Sequence, residues 1–131
     1  MKLIYKIWLE DGDSIAFGEG LYRLLIGIEA TGSLLDAAAG MGMAYSKARR
    51  IIKSCELSLG FALTTRKIGG VSGGGSEVTA DAIKLMRVYE TLRAEIEDAL
   101  GEVYKKYFGQ SIKVEFYTMT ANGRGKKKST E

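Results

Sequence analysis

Leu3, Tyr5, Ile7 and Leu9 alternate with Ile4, Lys6, Trp8 and Glu10, the period of a strand with one buried face. Asp11-Gly12 is a hairpin turn signal leading into Ile15 to Phe17, so a β-hairpin over residues 3–17 is expected to open the fold. Beyond Gly18 and Gly20 the period changes: Leu21, Leu24, Leu25 and Ile28 fall on one side of a helix, which Thr31-Gly32 ends. Ser33 is placed to cap a second helix, with Asp36 able to return a bond as in a capping box. That helix is short and closes near Gly40. Met41-Gly42-Met43 makes a turn, and from Ala44 the stripe Ala48, Ile51, Ile52 and Cys55 marks a third helix to about Leu59.

Ala62 to Lys67 and Ser76 to Val78 read as short strands flanking the loop Gly69-Gly70-Val71-Ser72-Gly73-Gly74-Gly75. Thr79 is a candidate cap for a long helix over 80–108. Along it Ala82, Leu85, Tyr89, Leu92, Ile96, Ala99 and Val103 recur at heptad-like spacings. Past Gly109, Ile112, Val114 and Phe116 alternate with Lys113, Glu115 and Tyr117 as an edge strand, and Asn122 to Lys128 form a basic, flexible tail. There is no internal repeat. The order of elements predicts a mainly α fold with small β parts, of the α+β class.

The chain has 131 residues, 46% hydrophobic and 27% charged, which suits one soluble globular domain with an appendage. Its first apolar stretch is interrupted by Lys6 and closed by Glu10 and Asp11, unlike a signal peptide, and no run approaches the roughly 20 apolar residues of a membrane span. A cytoplasmic location without membrane attachment is the expectation. The single cysteine, Cys55, excludes an internal disulfide and lies in a buried stripe, as a packing residue rather than a thiol sensor. The absence of histidine removes the commonest metal ligand and general base. Asp11 and Asp13 fall in a turn, so no cofactor, metal site or enzymatic activity is expected.

Charge is unevenly placed. Residues 44–67 carry Lys47, Arg49, Arg50, Lys53, Arg66 and Lys67 against Glu56 alone, whereas residues 1–43 are net acidic. At about 100° per residue, the stripe of the third helix leaves Ser46, Arg49, Arg50 and Lys53 on the opposite face. Counted from Leu34, Ala38, Gly42, Met43, Ala48 and Ile51 occupy the small, turning and apolar places of a helix-turn-helix. The second helix of such a pair, here 44–59, enters the major groove of duplex DNA, with Ala44, Tyr45, Ser46 and Lys47 at the end that approaches base edges or phosphates.

The glycine loop, with Arg66 and Lys67 at its base and Gly73 and Gly74 near its end, suits a wing that brings backbone N–H groups and cations to phosphates. A nucleotide-binding loop would require Lys followed by Ser or Thr after the glycines, where Ser76-Glu77 stands, and no helix follows at once. The residues alone leave a solvated basic face and a plain hairpin tip open as alternatives. Leu85, Tyr89, Leu92, Ile96, Ala99 and Val103 form a seam longer than three short helices can cover, so it is expected to pair with a second copy. Arg124, Lys126, Lys127 and Lys128 would add phosphate contacts or serve only solubility.

From Gly18 to about Leu92 the sequence resembles the N-terminal DNA-binding domain of the molybdate-responsive ModE regulators, itself similar to the LysR-type winged helix. Gly18-Glu19-Gly20, Leu24-Leu25 with Ile28, and Thr31-Gly32-Ser33 look like the family's first helix and the start of its helix-turn-helix. Ala37-Ala38, Met43, Tyr45 and Ala48 look like the helix pair. Arg66-Lys67-Ile68-Gly69-Gly70-Val71-Ser72-Gly73-Gly74-Gly75-Ser76-Glu77-Val78-Thr79 resembles the glycine-rich wing. Ala44, where a capping Ser is common, and Val71, where Lys is frequent, depart from the pattern.

The resemblance implies a winged-helix dimer joined through its terminal helices, with the helix from Ala44 in the major groove. Members that sense molybdate carry additional β-barrel domains, and only about twenty residues follow Gly109, so no molybdate site is expected in this chain. The resulting layout is a winged helix-turn-helix DNA-binding domain over 1–79, comprising the hairpin 3–17, the helix-turn-helix 33–59 and the wing 62–79. A dimerisation helix over 80–108 and a short strand with a basic tail over 109–131 complete it. The expected function is a homodimeric transcriptional regulator that binds duplex DNA. The alternative is a winged-helix protein-interaction or assembly module without DNA binding.

Overall fold

The computed structural model describes residues 1–67, 75–119 and 125–126. In chain order its elements are β1 (Lys2–Tyr5), β2 (Leu9–Asp11), β3 (Ser14–Phe17), α1 (Glu19–Thr31), α2 (Leu34–Gly40), α3 (Tyr45–Leu59), β4 (Thr64–Lys67), β5 (Gly75–Val78), α4 (Ala80–Phe108), β6 (Lys113–Phe116), β7 (Thr118–Met119) and β8 (Gly125–Lys126). Contacts gather the chain into two units, Trp8–Met86 and a second made of Met1–Ile7 with the residues from Arg87 onward.

In the Trp8–Met86 unit, β2 and β3 form an antiparallel hairpin, with Glu10 opposite Ile15 and Asp11 opposite Ser14. Gly12 supplies the left-handed turn at φ +62. Phe17, Leu24, Leu25, Ile28, Leu63 and Met86 are almost wholly buried and form the centre of its core, joined by Ala48, Ile52 and Cys55 from α3. Gly27 lets α1 and α2 approach: a Cβ built on it would stand 2.8 Å from the Cβ of Ala37. Burial pushes the Cys55 thiol above its ordinary range, and its Sγ donates to the Ile15 carbonyl at 3.4 Å. Cys55 is thus a packing residue.

The ends of the helices follow from local chemistry. Ser33 caps α2 by accepting the Asp36 N–H at 3.1 Å, while the Ser33 N–H donates to Thr31 Oγ1 at 3.2 Å. A threonine therefore makes the bond that the expected capping box assigns to the Asp36 carboxylate. Thr79 caps α4: its Oγ1 accepts the Ala82 N–H at 3.1 Å and donates to the Ala62 carbonyl at 2.7 Å. The antiparallel pair β4–β5, with Arg66 opposite Ser76, joins α3 to α4. Helix α1, the pair α2–α3 and this two-stranded extension make a winged helix-turn-helix in an α+β fold, followed by a long C-terminal helix.

In the other unit, β1 and β6 pair in parallel, with Leu3 opposite Val114 and Tyr5 opposite Phe116. Tyr5 donates to Glu97 Oε1 of α4 at 2.6 Å, and its ring meets Phe116 edge-on at 5.3 Å. The Arg93 guanidinium lies over the Phe116 ring, 4.1 Å from its centroid. Burial, then the bond to Glu97, pushes the Tyr5 hydroxyl up to about 12. Glu115 is buried between the ammonium groups of Lys2, at 3.2 Å, and Lys113, at 3.3 Å. β7 and β8 pair antiparallel, Thr118 opposite Lys126.

This pairing corrects the expected opening hairpin. The hairpin spans residues 9–17 rather than 3–17, and the first half of the expected strand instead joins the strand beyond α4. Alternation specifies which side chains share a face but not which strand lies alongside, and a parallel partner requires a long crossover that no neighbouring residues announce. Among the described residues no helix is long and apolar enough to cross a membrane.

Candidate nucleic-acid interface

The turn between α2 and α3 is fixed by backbone bonds. The N–H groups of Met41 and Met43 both donate to the Ala38 carbonyl, at 3.0 and 2.9 Å, and Gly42 adopts φ +64. Ala38 is buried where the two helices meet, which requires a small side chain. Helix α3 then starts at Tyr45 with Ala44 as its N-cap, and Ala44 offers no side-chain acceptor to the first-turn N–H groups. Those donors point out of the helix end where Ala44, Tyr45, Ser46 and Lys47 are all exposed, the arrangement that favours an anion.

Ala48, Ile52 and Cys55 are the buried residues of α3, while Ile51 is half-buried at the edge of that stripe. On the opposite side Ser46, Arg49, Arg50, Lys53, Ser54 and Leu57 line a shallow outward depression. Lys47, Arg49, Arg50 and Lys53 are exposed, as are Arg66 and Lys67 on β4. Among the described residues, none of these six cations has a carboxylate within salt-bridge distance, 4.0 Å.

A second, polar groove of about 570 Å³ runs between α3, the start of α2 and the wing strands. Ser33, Tyr45, Arg49, Lys53, Thr64 and Arg66 are among its lining. The Arg49 guanidinium lies 6.0 Å from the centroid of the Tyr45 ring, so the ring gives the arginine a rest position beside the groove. Glu56 is the sole acidic residue among the lining, and its Oε2 accepts the Leu63 N–H at 2.7 Å. That bond ties the end of α3 to the strand leading into the wing.

The base of the wing is anchored as well. Ser76 donates its N–H to the Gly32 carbonyl at 2.8 Å, which holds β5 against the α1–α2 turn. Thr64, Thr65 and Arg66 line the groove, and Lys67, exposed at the end of β4, is not among the lining. Gly73 and Gly74 lie outside the described residues, as do Arg124, Lys127 and Lys128.

Of the residues expected to form a dimerisation seam, Tyr89 is only 1% exposed and packs within its own chain. Leu92, Ala99 and the 55% exposed Val103 are on the surface of α4, as is Val88, at 63% exposed. Leu85 and Ile96 are half-buried. Successive positions at 100° set Val88, Leu92, Ile96, Ala99 and Val103 within an arc of about 80°.

Sequence reasoning gave no site role to Gly27, Glu56 or Leu57, and it placed Gly75 in the loop rather than on β5. A glycine inside an otherwise apolar helix was a signal for Gly27. Leu57 stands out as a leucine eleven residues beyond Ser46, on the charged rather than the buried face. Nothing local marks the bond of Glu56 to Leu63. Among the described residues there is no cluster of groups able to hold a metal ion.

No family model and no curated protein matches the chain. Among solved structures it is similar to ArgP from Mycobacterium tuberculosis, with a TM-score of 0.48 and 20% sequence identity over 77% of this chain. The match covers 43% of ArgP, so the chain corresponds to less than half of that protein's length.

Proposed function

We propose that this protein is a sequence-specific regulator of transcription that binds duplex DNA as a homodimer. The observation that carries the reading is the outward face of α3, where Arg49, Arg50 and Lys53 stand exposed without carboxylate partners among the described residues. Leaving three cations unneutralised on one helix face costs mutual repulsion, and a polyanion relieves it. An α-helix fits the major groove, where Arg and Lys pair with guanine edges.

In this reading α3 occupies the groove, Arg50 and Lys53 face the bases, and Arg49 and Arg66 hold the sugar-phosphate backbone in the channel beside α3. The N–H groups at the start of α3 add phosphate contacts. The glycine-rich loop with Gly73 and Gly74 extends along the backbone. Two copies join through Leu92, Ala99, Val103 and Val88 of α4, with Leu85 and Ile96 at the margin. Twofold pairing presents two α3 helices to half-sites about one helical turn, or a multiple, apart.

Selection of binding sites from random duplex DNA at low and moderate salt tests the proposal. The expected product is a motif with twofold symmetry, bound with an affinity that falls steeply as salt rises. Recovery of no enriched motif, together with a protein partner retained at high salt, would transfer the winged helix to the class of interaction modules.

A further inference from the structure

Leu57 sits in the last turn of α3 with 87% of its surface exposed. It falls on the outermost line of the helix, at the spacings of four, three and four that link Ser46, Arg50, Lys53 and Leu57. Ser46, Arg49, Arg50, Lys53 and Ser54 surround the same shallow depression that it closes. A leucine so placed contributes almost nothing to the core, which leaves its side chain available to whatever the basic face binds.

The surroundings select the explanation. A protein partner offering an apolar pocket to Leu57 would have to desolvate Arg49, Arg50 and Lys53 around it, which burial without anionic partners strongly disfavours. Duplex DNA supplies both chemistries at once: phosphates for the cations, and on the major-groove floor one apolar group, the C5-methyl of thymine. From Arg50 to Leu57 the helix advances about 10.5 Å along its own axis, enough for the two side chains to reach different base pairs of the groove.

We infer that Leu57 is a specificity-determining residue that packs against a thymine methyl group, at a different base pair from the one contacted by Arg50. The inference rests on the proposed DNA-binding function and deepens it. Arg50 and Lys53 would read hydrogen-bonding edges, while Leu57 reads a methyl, so one helix face distinguishes a guanine at one position from a thymine at another.

The test uses the full-length protein and the duplex motif that it selects. Each thymine is replaced in turn by deoxyuridine, which removes only the methyl group and keeps base pairing. Affinities are measured for the wild type and Leu57→Ala, whose fold is checked by circular dichroism. At one thymine in each half-site the wild type is expected to lose about 3- to 10-fold in affinity, and Leu57→Ala is expected to be indifferent to the same replacement. Equal losses for both proteins at every thymine, or unchanged operator affinity of Leu57→Ala, would overturn the assignment and leave DNA binding itself standing. Failure of the wild type to bind any duplex would instead bring down the underlying function together with this inference.

Discussion

Gly75 lies against Gly32 so closely that a Cβ built on Gly75 would stand 2.6 Å from the Gly32 carbonyl oxygen. The neighbouring Ser76 N–H donates to that same oxygen. The first strand residue after the wing loop is therefore seated on the turn that leads into α2, and the spacing between wing and helix-turn-helix depends on the lack of a side chain. Gly75→Ala should push β5 away, with a loss of roughly 1 to 3 kcal/mol in stability. Urea denaturation measures that loss. If Gly75→Ala unfolds like the wild type and binds DNA equally well, the seat is not what positions the wing.

The contact of Gly27 with Ala37 makes a related prediction for α1 and α2. Gly27→Ala should lose about 1 to 3 kcal/mol through overpacking, even though alanine is the better helix former. Combining it with Ala37→Gly should restore part of the loss, because the added methyl then has room. A double variant whose loss equals the sum of the two single losses would contradict direct contact as the cause.

Arg50 of α3 and Arg66 of β4 should separate in function. Arg50→Ala should relax preference at one base pair of each half-site by roughly 1 to 3 kcal/mol. Arg66→Ala should weaken binding to all sequences alike and reduce the slope of log affinity against log salt by about one per site. Lys67→Ala, outside the groove lining, should change that slope less than Arg66→Ala. Binding titrations over a range of salt concentrations, with matched and mismatched duplexes, measure each effect.

Neighbours on α4 should behave in opposite ways. Leu92→Glu places a charge on the exposed stripe and is expected to give a folded monomer in light scattering. Tyr89→Ala removes a buried ring and should lose roughly 3 to 5 kcal/mol of stability. A Leu92→Glu protein that remains dimeric would move the interface off this helix.

Tyr5 makes stability depend on alkaline pH. Its folded-state value is raised from 10.0 to about 12, so the neutral hydroxyl is the form that the fold prefers. The contribution is fully present below pH 10, where both folded and unfolded chains carry the proton, and is lost as pH rises through about 12. The wild type should therefore lose stability more steeply over that window than Tyr5→Phe, in paired urea titrations. Identical pH profiles would show that the hydroxyl makes no such contribution.

The helical part of the fold was legible because its determinants are local. The stripe of α1, the Ser33 and Thr79 caps, the turn at Gly42 and the basic face of α3 each require only residues within a few turns of one another. What stayed illegible depends on distance. Tyr89 and Leu92 share one heptad-like pattern, and only the course of the remaining chain decides which is covered. Glu56 reads as a blemish in a cationic stretch until its bond to the Leu63 N–H is seen.

The parallel pairing of Lys2–Tyr5 with Lys113–Phe116 has a consequence for biosynthesis. Residues 2–5 are paired by residues 113–116, so their hydrogen-bonding edge waits until the segment between them has been made. Contacts of such large sequence separation form slowly and carry a high loop-closure entropy. Residues 8–86 meanwhile depend on much nearer neighbours, and their helix-turn-helix can take shape during translation. Nascent chains arrested before Lys113 should then protect α1 to α3 from hydrogen exchange while leaving residues 2–5 open.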